Sequence, residues 1–154
     1  MTLDEFKNIF WWEYAHRLLG RIIGLYFAIP YIYFLSKGYV RGKQALQLGA
    51  ILVGIGAQGA LGWYMVRSGL EEDTSNQYSV PRVSQYRLAA HLSSAFILYS
   101  GMLWMAMNYS ASSISHTLSS STLLRLTKIS SIGAGLVMLT AITGAFVAGL
   151  DAGL

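Results

Sequence analysis

The chain has 154 residues, of which 54% are hydrophobic and only 12% are charged, and it contains 16 glycines and no cysteine. A soluble domain carries about 25% charged residues, so this composition predicts a membrane protein. The missing cysteines exclude disulfide scaffolds, zinc ribbons, iron–sulfur clusters and thiol nucleophiles. The net charge of +4 is too small and too scattered for us to expect binding to nucleic acid.

Four stretches are apolar enough to cross a bilayer, whose hydrocarbon core requires roughly 20 residues of helix. In chain order they cover about residues 16–35, 45–66, 86–107 and 129–150. An aromatic run, Phe10-Trp11-Trp12, precedes the first stretch, and we expect it at the level of the lipid headgroups. The sequence therefore predicts an all-α membrane protein with four transmembrane helices.

The charges of the connecting segments predict how these helices are oriented. Lys37, Arg41 and Lys43 lie in the first connection, and Arg125 and Lys128 lie in the third, with no acidic residue in either. The second connection contains the acidic run at residues 71–73. By the positive-inside rule, the first and third connections face the cytoplasm or matrix, and the second faces the outer side.

Small residues recur within the spans and predict close contacts between helices. They include Gly20 and Gly24 in the first span, several glycines in the second, and a series of glycines and alanines in the fourth. For most of these glycines we expect packing to be their only role.

Two histidines, His16 and His91, lie inside or at the edge of the first and third spans. These two helices run in the same direction, so we expect both imidazoles near the outer face at similar depth. Ionisable groups within spans are costly and are candidates for function. Two imidazoles facing each other across a bundle are a common way to hold a haem iron, whereas a lone membrane histidine more often hydrogen-bonds a neighbouring helix.

The residues beside the histidines agree with haem binding. Gly20 follows His16 by one helical turn and leaves room for a flat macrocycle. Three arginines near the outer interface can pair with haem propionates, because a guanidinium matches the geometry of a carboxylate. They are Arg17, Arg21 and Arg87.

Glu13 precedes His16 by three residues on the same helix face, which predicts a carboxylate near the edge of the haem. There it could accept a proton, stabilise a developing positive charge or orient the imidazole. The alternative is an interfacial ion pair with Arg17, four residues further on. The spacing alone leaves both interpretations open.

Four stretches of the chain resemble the haem A synthase family (Cox15/CtaA type). In order they are EYAHRLLGR at 13–21, QGALGWYMVRSGL at 58–70, PRVSQYRLAAHL at 81–92 and GAFVAGLDAG at 144–153. Several long motifs in the right order make this resemblance specific, and it covers nearly the whole chain.

The resemblance implies an oxidoreductase that converts the C8 methyl group of haem O into a formyl group, which yields the haem A required by cytochrome c oxidase. By the same resemblance, His16 and His91 would be the axial ligands of the substrate haem. Glu13 would be the carboxylate that assists oxidation of the methyl group. The roles of the neighbouring arginines carry over more loosely.

The resemblance also implies a fold of eight helices in two pseudo-symmetric four-helix halves, of which this chain would contain helices two to five. We then expect residues 1–107 to form a partial N-terminal haem-binding half, residues 108–128 an inner Ser-rich loop, and residues 129–154 the first helix of the C-terminal half. The chain would be a partial one and incomplete as an enzyme, and the expected haem b would belong to the missing C-terminal half.

The expected partners are haem O, the lipid bilayer, haem O synthase, further copies of the chain in a homo-oligomer, and an electron donor for which ferredoxin is a candidate. The expected location is the mitochondrial inner membrane, with a bacterial plasma membrane as the alternative. Two other functions stay open. One is a b-type cytochrome that only carries electrons, and the other is a multi-pass structural protein without a cofactor.

Overall fold

The computed structural model describes residues 2–71, 83–110 and 119–150. In these ranges the secondary structure consists of four helices, α1 (Leu3–Ser36), α2 (Gly42–Glu71), α3 (Gln85–Ser110) and α4 (Ser120–Gly149). Each helix is long and apolar enough to cross a membrane. The prediction of an all-α protein with four transmembrane helices is confirmed.

Most of the large apolar side chains on these helices are exposed, as Leu136 is at 59% and Val53 at 72%. Soluble proteins rarely expose contiguous apolar surface on this scale, because such surface must be removed from water. Lipid is the environment that accommodates it, which agrees with the four spans.

The helices extend beyond the apolar stretches predicted from the sequence. α1 begins at Leu3 rather than at residue 16, so His16 and the aromatic run lie within the helix. α4 begins at Ser120 rather than at residue 129, and the prediction of a loop is therefore wrong for residues 120–128 as well as for 108–110, which belong to α3. Thirty residues of helix span about 45 Å, so hydropathy marks only the part of each helix within a core of about 30 Å.

A serine explains why α4 begins early. Ser119 is the N-cap residue, and its side-chain oxygen accepts a hydrogen bond from the backbone N–H of Thr122 at 3.3 Å. Serine is among the preferred residues at this position, because its oxygen satisfies one of the unpaired N–H groups of the first turn. A Ser-rich segment that looks like a loop therefore contains the start of a helix.

The connection between α1 and α2 is a tight turn that begins with a Schellman motif. The N–H of Tyr39 donates to the carbonyl of Phe34 at 2.9 Å, and that of Gly38 donates to the carbonyl of Leu35 at 3.0 Å. Gly38 has φ +69°, a left-handed conformation that glycine adopts without steric penalty. The rings of Phe34 and Tyr39 lie 6.2 Å apart and provide the apolar contact of this motif.

The chain divides into two compact units, Met1–Gly59 and Ala60–Leu154. In the first unit, α1 packs on the beginning of α2. The hydroxyl of Tyr31 donates to the carbonyl of Ala45 at 2.9 Å. A Cβ atom built at Gly49 would lie 2.9 Å from the same hydroxyl, and one at Gly24 would lie 3.7 Å from Ile55.

The second unit contains the end of α2 together with α3 and α4. The rings of Tyr86 and Phe146 meet edge to face at 5.7 Å, which joins the start of α3 to the end of α4. Close by, a Cβ atom at Gly149 would lie only 2.6 Å from the Cα atom of Gln85. Ala89 and Ala145 are buried at this contact. The start of α3 and the end of α4 are thus packed against each other.

The glycines contribute unevenly to these contacts. Gly24, Gly49, Gly62 and Gly149 face neighbouring helices, as predicted for small residues within a membrane. Within the described part of the chain, a Cβ atom would meet nothing within 4 Å at the following positions: Gly20, Gly56, Gly59, Gly133, Gly135 and Gly144. For these six glycines, close packing stays a prediction.

Candidate functional site

The ion pair between Glu13 and Arg17 lies in the first half of α1. Nη2 of Arg17 is 2.9 Å from Oε2 of Glu13, and the side chains are 52% and 57% exposed, respectively. The i, i+4 spacing brings the two residues together on one helix face. Of the two interpretations left open for Glu13, the interfacial ion pair is present, and a role in catalysis stays a prediction.

His16 lies on the same helix, and its side chain is exposed. Gly20 follows one turn later, and a Cβ atom built there would meet nothing within 4 Å in the described part of the chain. Arg21 is also exposed on this helix. Room for a macrocycle beside the imidazole of His16 stays a prediction.

His91 lies on α3, half-buried, with its imidazole against the backbone of α2. A Cβ atom at Gly62 would lie 2.9 Å from Cε1 of the ring, 3.3 Å from Nε2 and 3.6 Å from Nδ1. Because glycine has no Cβ atom, it is the residue that avoids a clash with the imidazole at position 62. For most glycines of the spans the sequence predicted packing alone, and it did not indicate that Gly62 contacts the histidine.

One turn after His91, α3 carries the small residues Ser94 and Ala95. The hydroxyl of Ser94 donates to the carbonyl of Ala90 at 2.8 Å and is 3.0 Å from that of His91. Serine hydroxyls in membrane helices commonly bond to the preceding turn in this way. The hydroxyl of Ser94 thus bonds to carbonyls of its own helix beside the histidine.

Two arginines in the second unit stack on aromatic rings of α2. The guanidinium carbon of Arg87 lies 5.4 Å from the centre of the Tyr64 ring, and that of Arg67 lies 5.2 Å from the centre of the Trp63 ring. A cation over an aromatic face within about 6 Å is attracted by the ring quadrupole. The sequence identified Arg87 as a candidate but did not show that Tyr64 would hold its guanidinium.

The predicted site residues are thus brought together in two groups. Glu13 and Arg17 contact each other on α1, and His91 and Arg87 stand one helical turn apart on α3. His16 belongs to the first unit and His91 to the second, and their binding to one haem stays a prediction. Parts of two predicted motifs, residues 81–82 and 151–153, lie outside the described residues, as does most of the acidic run.

A family model described as cytochrome oxidase assembly protein, COX15-CtaA, matches residues 1–154. The chain belongs to this family. The resemblance found in the four sequence motifs is therefore confirmed.

Individual relatives match the chain over its whole length. The heme A synthase COX15 of Homo sapiens is 51% identical over 156 residues, and this match covers 100% of the chain and 37% of the human protein. That of Arabidopsis thaliana is 47% identical, covering 99% and 34%. The heme A synthase of the bacterium Nitrosospira multiformis is 47% identical, covering 100% and 41%. The chain thus spans between a third and two fifths of these relatives. No solved structure matches it.

Relatives from eukaryotes and from bacteria match with similar identity. Together with the four apolar helices, these matches support a multi-pass protein of an inner membrane, mitochondrial or bacterial. Of the two, we predicted the mitochondrial inner membrane.

Proposed function

We propose that this chain takes part in haem A synthesis, as an oxidoreductase that acts on the C8 methyl group of haem O and produces a formyl group. The observation that carries the proposal is the match of 99–100% of the chain to proteins named heme A synthase, at 47–51% identity. The matched region includes both membrane histidines, and it includes Glu13, which precedes His16 by one helical turn on α1.

In this proposal, His16 and His91 are the axial ligands of the substrate haem. Each histidine has surroundings that fit a macrocycle. Beside His16, the backbone of Gly20 leaves open space. Beside His91, the absence of a side chain at Gly62 gives the ring room, since a Cβ atom there would lie 2.9 Å from Cε1 and 3.3 Å from Nε2. Neutral imidazoles are the usual axial ligands when a haem is held from both sides.

The arginines bind the propionates of the haem. Arg87 stands four residues before His91 on α3, so its side chain projects from the same face one turn away. The centre of the Tyr64 ring lies 5.4 Å from the guanidinium carbon, and the ring restrains the guanidinium from one side. A guanidinium matches the geometry of a carboxylate. Arg17 and Arg21 would serve the same purpose on α1.

Glu13 would stabilise the positive character that develops at the methyl carbon during its oxidation. A carboxylate near a developing cation in a site without water is effective, because little solvent screens the interaction. Its pairing with Arg17 keeps the carboxylate on the helix face that carries His16.

Conversion of the methyl to a formyl group removes four electrons from haem O and therefore requires an oxidant. With dioxygen as that oxidant, an electron donor is needed to activate it, and we propose a ferredoxin. A relative from Schizosaccharomyces pombe is named a heme A synthase-mitochondrial ferredoxin fusion protein, and it is 42% identical over 173 residues. Fusion of two proteins in one chain favours a functional connection between them. Haem O synthase as a partner, a homo-oligomer and a haem b stay predictions.

Co-expression of the chain with a haem O synthase in a bacterium that makes no haem A tests the proposal. Haems extracted from the purified chain are separated by chromatography. Because we expect the chain to be incomplete as an enzyme, the change is made in a full-length protein that contains it. There we expect haem A from the native sequence, and bound haem O without haem A from Glu13→Gln. Asp4→Asn is the matched control, because Asp4 is a second exposed acid on α1 with a basic partner, Lys7, at 3.9 Å.

A b-type cytochrome that only carries electrons is the second candidate, and the ion pair of Glu13 favours it, since a carboxylate already bound by Arg17 needs no further role. Bound haem with no haem A from the native chain would support this candidate. If the chain binds no haem at all, both haem-dependent functions are contradicted, and a structural protein without a cofactor is the function that is left.

A further inference from the structure

Gly62 lies against the imidazole of His91, at the place where α2 meets α3 in the second unit. We propose that Gly62 is a positioning residue for the haem ligand His91. Its lack of a side chain lets the imidazole lie on the backbone of α2 and fixes the direction of the ring nitrogens. The inference rests on the proposed role of His91 as a ligand of the haem iron.

The distances show how little room the ring has. A Cβ atom at position 62 would lie 2.9 Å from Cε1 and 3.3 Å from Nε2, whereas ordinary contacts begin at 3.4 Å. The ring would have to move by about 0.5 Å, which equals the tolerance within which functional groups must be held. Nδ1 would be in ordinary contact at 3.6 Å, so a methyl group would crowd Cε1 and Nε2 and would move Nδ1 only through the displacement of the whole ring.

The imidazole cannot escape through a shift of α3, because α4 holds that helix on another side. Gln85 lies against Gly149, the ring of Tyr86 contacts that of Phe146, and Ala89 is 4% exposed. These contacts surround the turns that precede His91. A methyl group at position 62 would therefore be accommodated by rotation of the imidazole, and rotation changes where its nitrogens point.

The neighbouring glycine of α2 does not have this role. A Cβ atom at Gly59, one turn before Gly62, would meet nothing within 4 Å in the described part of the chain. Gly59→Ala adds the same methyl group to the same helix and changes helix propensity equally. It is thus a matched control that lacks only the contact with His91.

The test is a titration of hemin into the full chain in detergent, followed by the absorption and electron paramagnetic resonance spectra of the ferric complex. We expect Gly62→Ala to bind hemin about 10–100-fold more weakly, as is typical when a residue that orients a metal ligand is changed. Its low-spin resonance signals should shift, since they report the orientation of the axial imidazoles. Gly59→Ala should match the native chain in both measurements.

His91→Ala separates failure of this inference from failure of the proposed function. If the ferric spectrum of His91→Ala equals that of the native chain, His91 is not a haem ligand, and its role in the proposed function is refuted. If His91→Ala abolishes the bis-histidine spectrum while Gly62→Ala behaves as Gly59→Ala does, the positioning role is refuted and the ligand role stands.

A measurement without haem covers the case in which Gly62→Ala folds poorly. The proposed clash needs the imidazole, so the loss of thermal stability of Gly62→Ala relative to Gly59→Ala should disappear when both changes are made in the His91→Ala chain. Two contacting residues show such non-additivity, and independent ones do not. A loss that persists without the imidazole would overturn the inference.

Discussion

Gly149 ends α4 at the point where its backbone meets the start of α3. A Cβ atom there would lie 2.6 Å from both Cα and Cβ of Gln85 and 3.3 Å from its backbone nitrogen. Because two of these three atoms belong to the backbone, no side chain can turn away, and the helices must separate by about 0.8 Å in a contact where overpacking costs about 1–3 kcal/mol. We therefore expect Gly149→Ala to lower the free energy of unfolding by that amount.

Gly144→Ala is the control, because a Cβ atom at Gly144 in the same helix meets nothing within 4 Å in the described part of the chain. Replacing an interior helix glycine by alanine gains up to about 1 kcal/mol, so this control should be neutral or slightly stabilising. Unfolding of each variant in mixed micelles with increasing SDS, followed by circular dichroism, measures both. Equal midpoints for Gly149→Ala and Gly144→Ala would refute the close approach of α3 and α4.

Two further changes test contacts within each unit. Tyr31→Phe removes the 2.9 Å hydrogen bond to the carbonyl of Ala45 and should lower the free energy of unfolding by about 1 kcal/mol in the same assay. The control is Tyr33→Phe, which changes an exposed side chain and should leave the free energy of unfolding unchanged. Equal losses for the two variants would contradict the hydrogen bond between α1 and α2. Tyr64→Leu removes the ring under Arg87 and should weaken hemin binding about 2–5-fold, as expected from a cation–π contact of about 0.5–1 kcal/mol. Tyr64→Phe keeps an aromatic ring and should bind hemin as tightly as the native chain does. Hemin dimethyl ester lacks free carboxylates, so Tyr64→Leu and Tyr64→Phe should bind it with equal affinity.

The number and order of the helices were predictable from the sequence, because lipid imposes a minimum length of apolar residues on each crossing. The ends of the helices were not. Beyond the hydrocarbon core, hydropathy no longer separates helix from loop, and local hydrogen bonds decide instead. At Ser119 a single side-chain oxygen starts α4 within a segment whose composition resembles a loop. At Gly38 the left-handed backbone conformation belongs to the Schellman motif that ends α1.

In the candidate site, only contacts between residues of the same helix were predictable from the sequence. The spacing of Glu13, His16 and Arg17 places them on one face, and their pairing follows from it. The contact between Gly62 and His91 depends on the rotation and register of two helices, which composition does not encode. One signal was present, since both residues stand within a few turns of the second connection and must lie at similar depth in an antiparallel pair. It could not show that Gly62, rather than Gly59, faces the imidazole.

The two interpretations of Glu13 are not exclusive, because its partner has a second proposed ligand. Arg17 pairs with Glu13 at 2.9 Å, but both side chains are more than half exposed. An exposed i, i+4 ion pair contributes only about 0.3–0.5 kcal/mol, whereas a guanidinium that binds a carboxylate with two parallel hydrogen bonds in a desolvated site gains more. A haem propionate can therefore replace Glu13 at Arg17. The carboxylate of Glu13 would then lose its partner when the substrate binds, on the helix face that carries His16, where the proposed oxidation requires a negative charge.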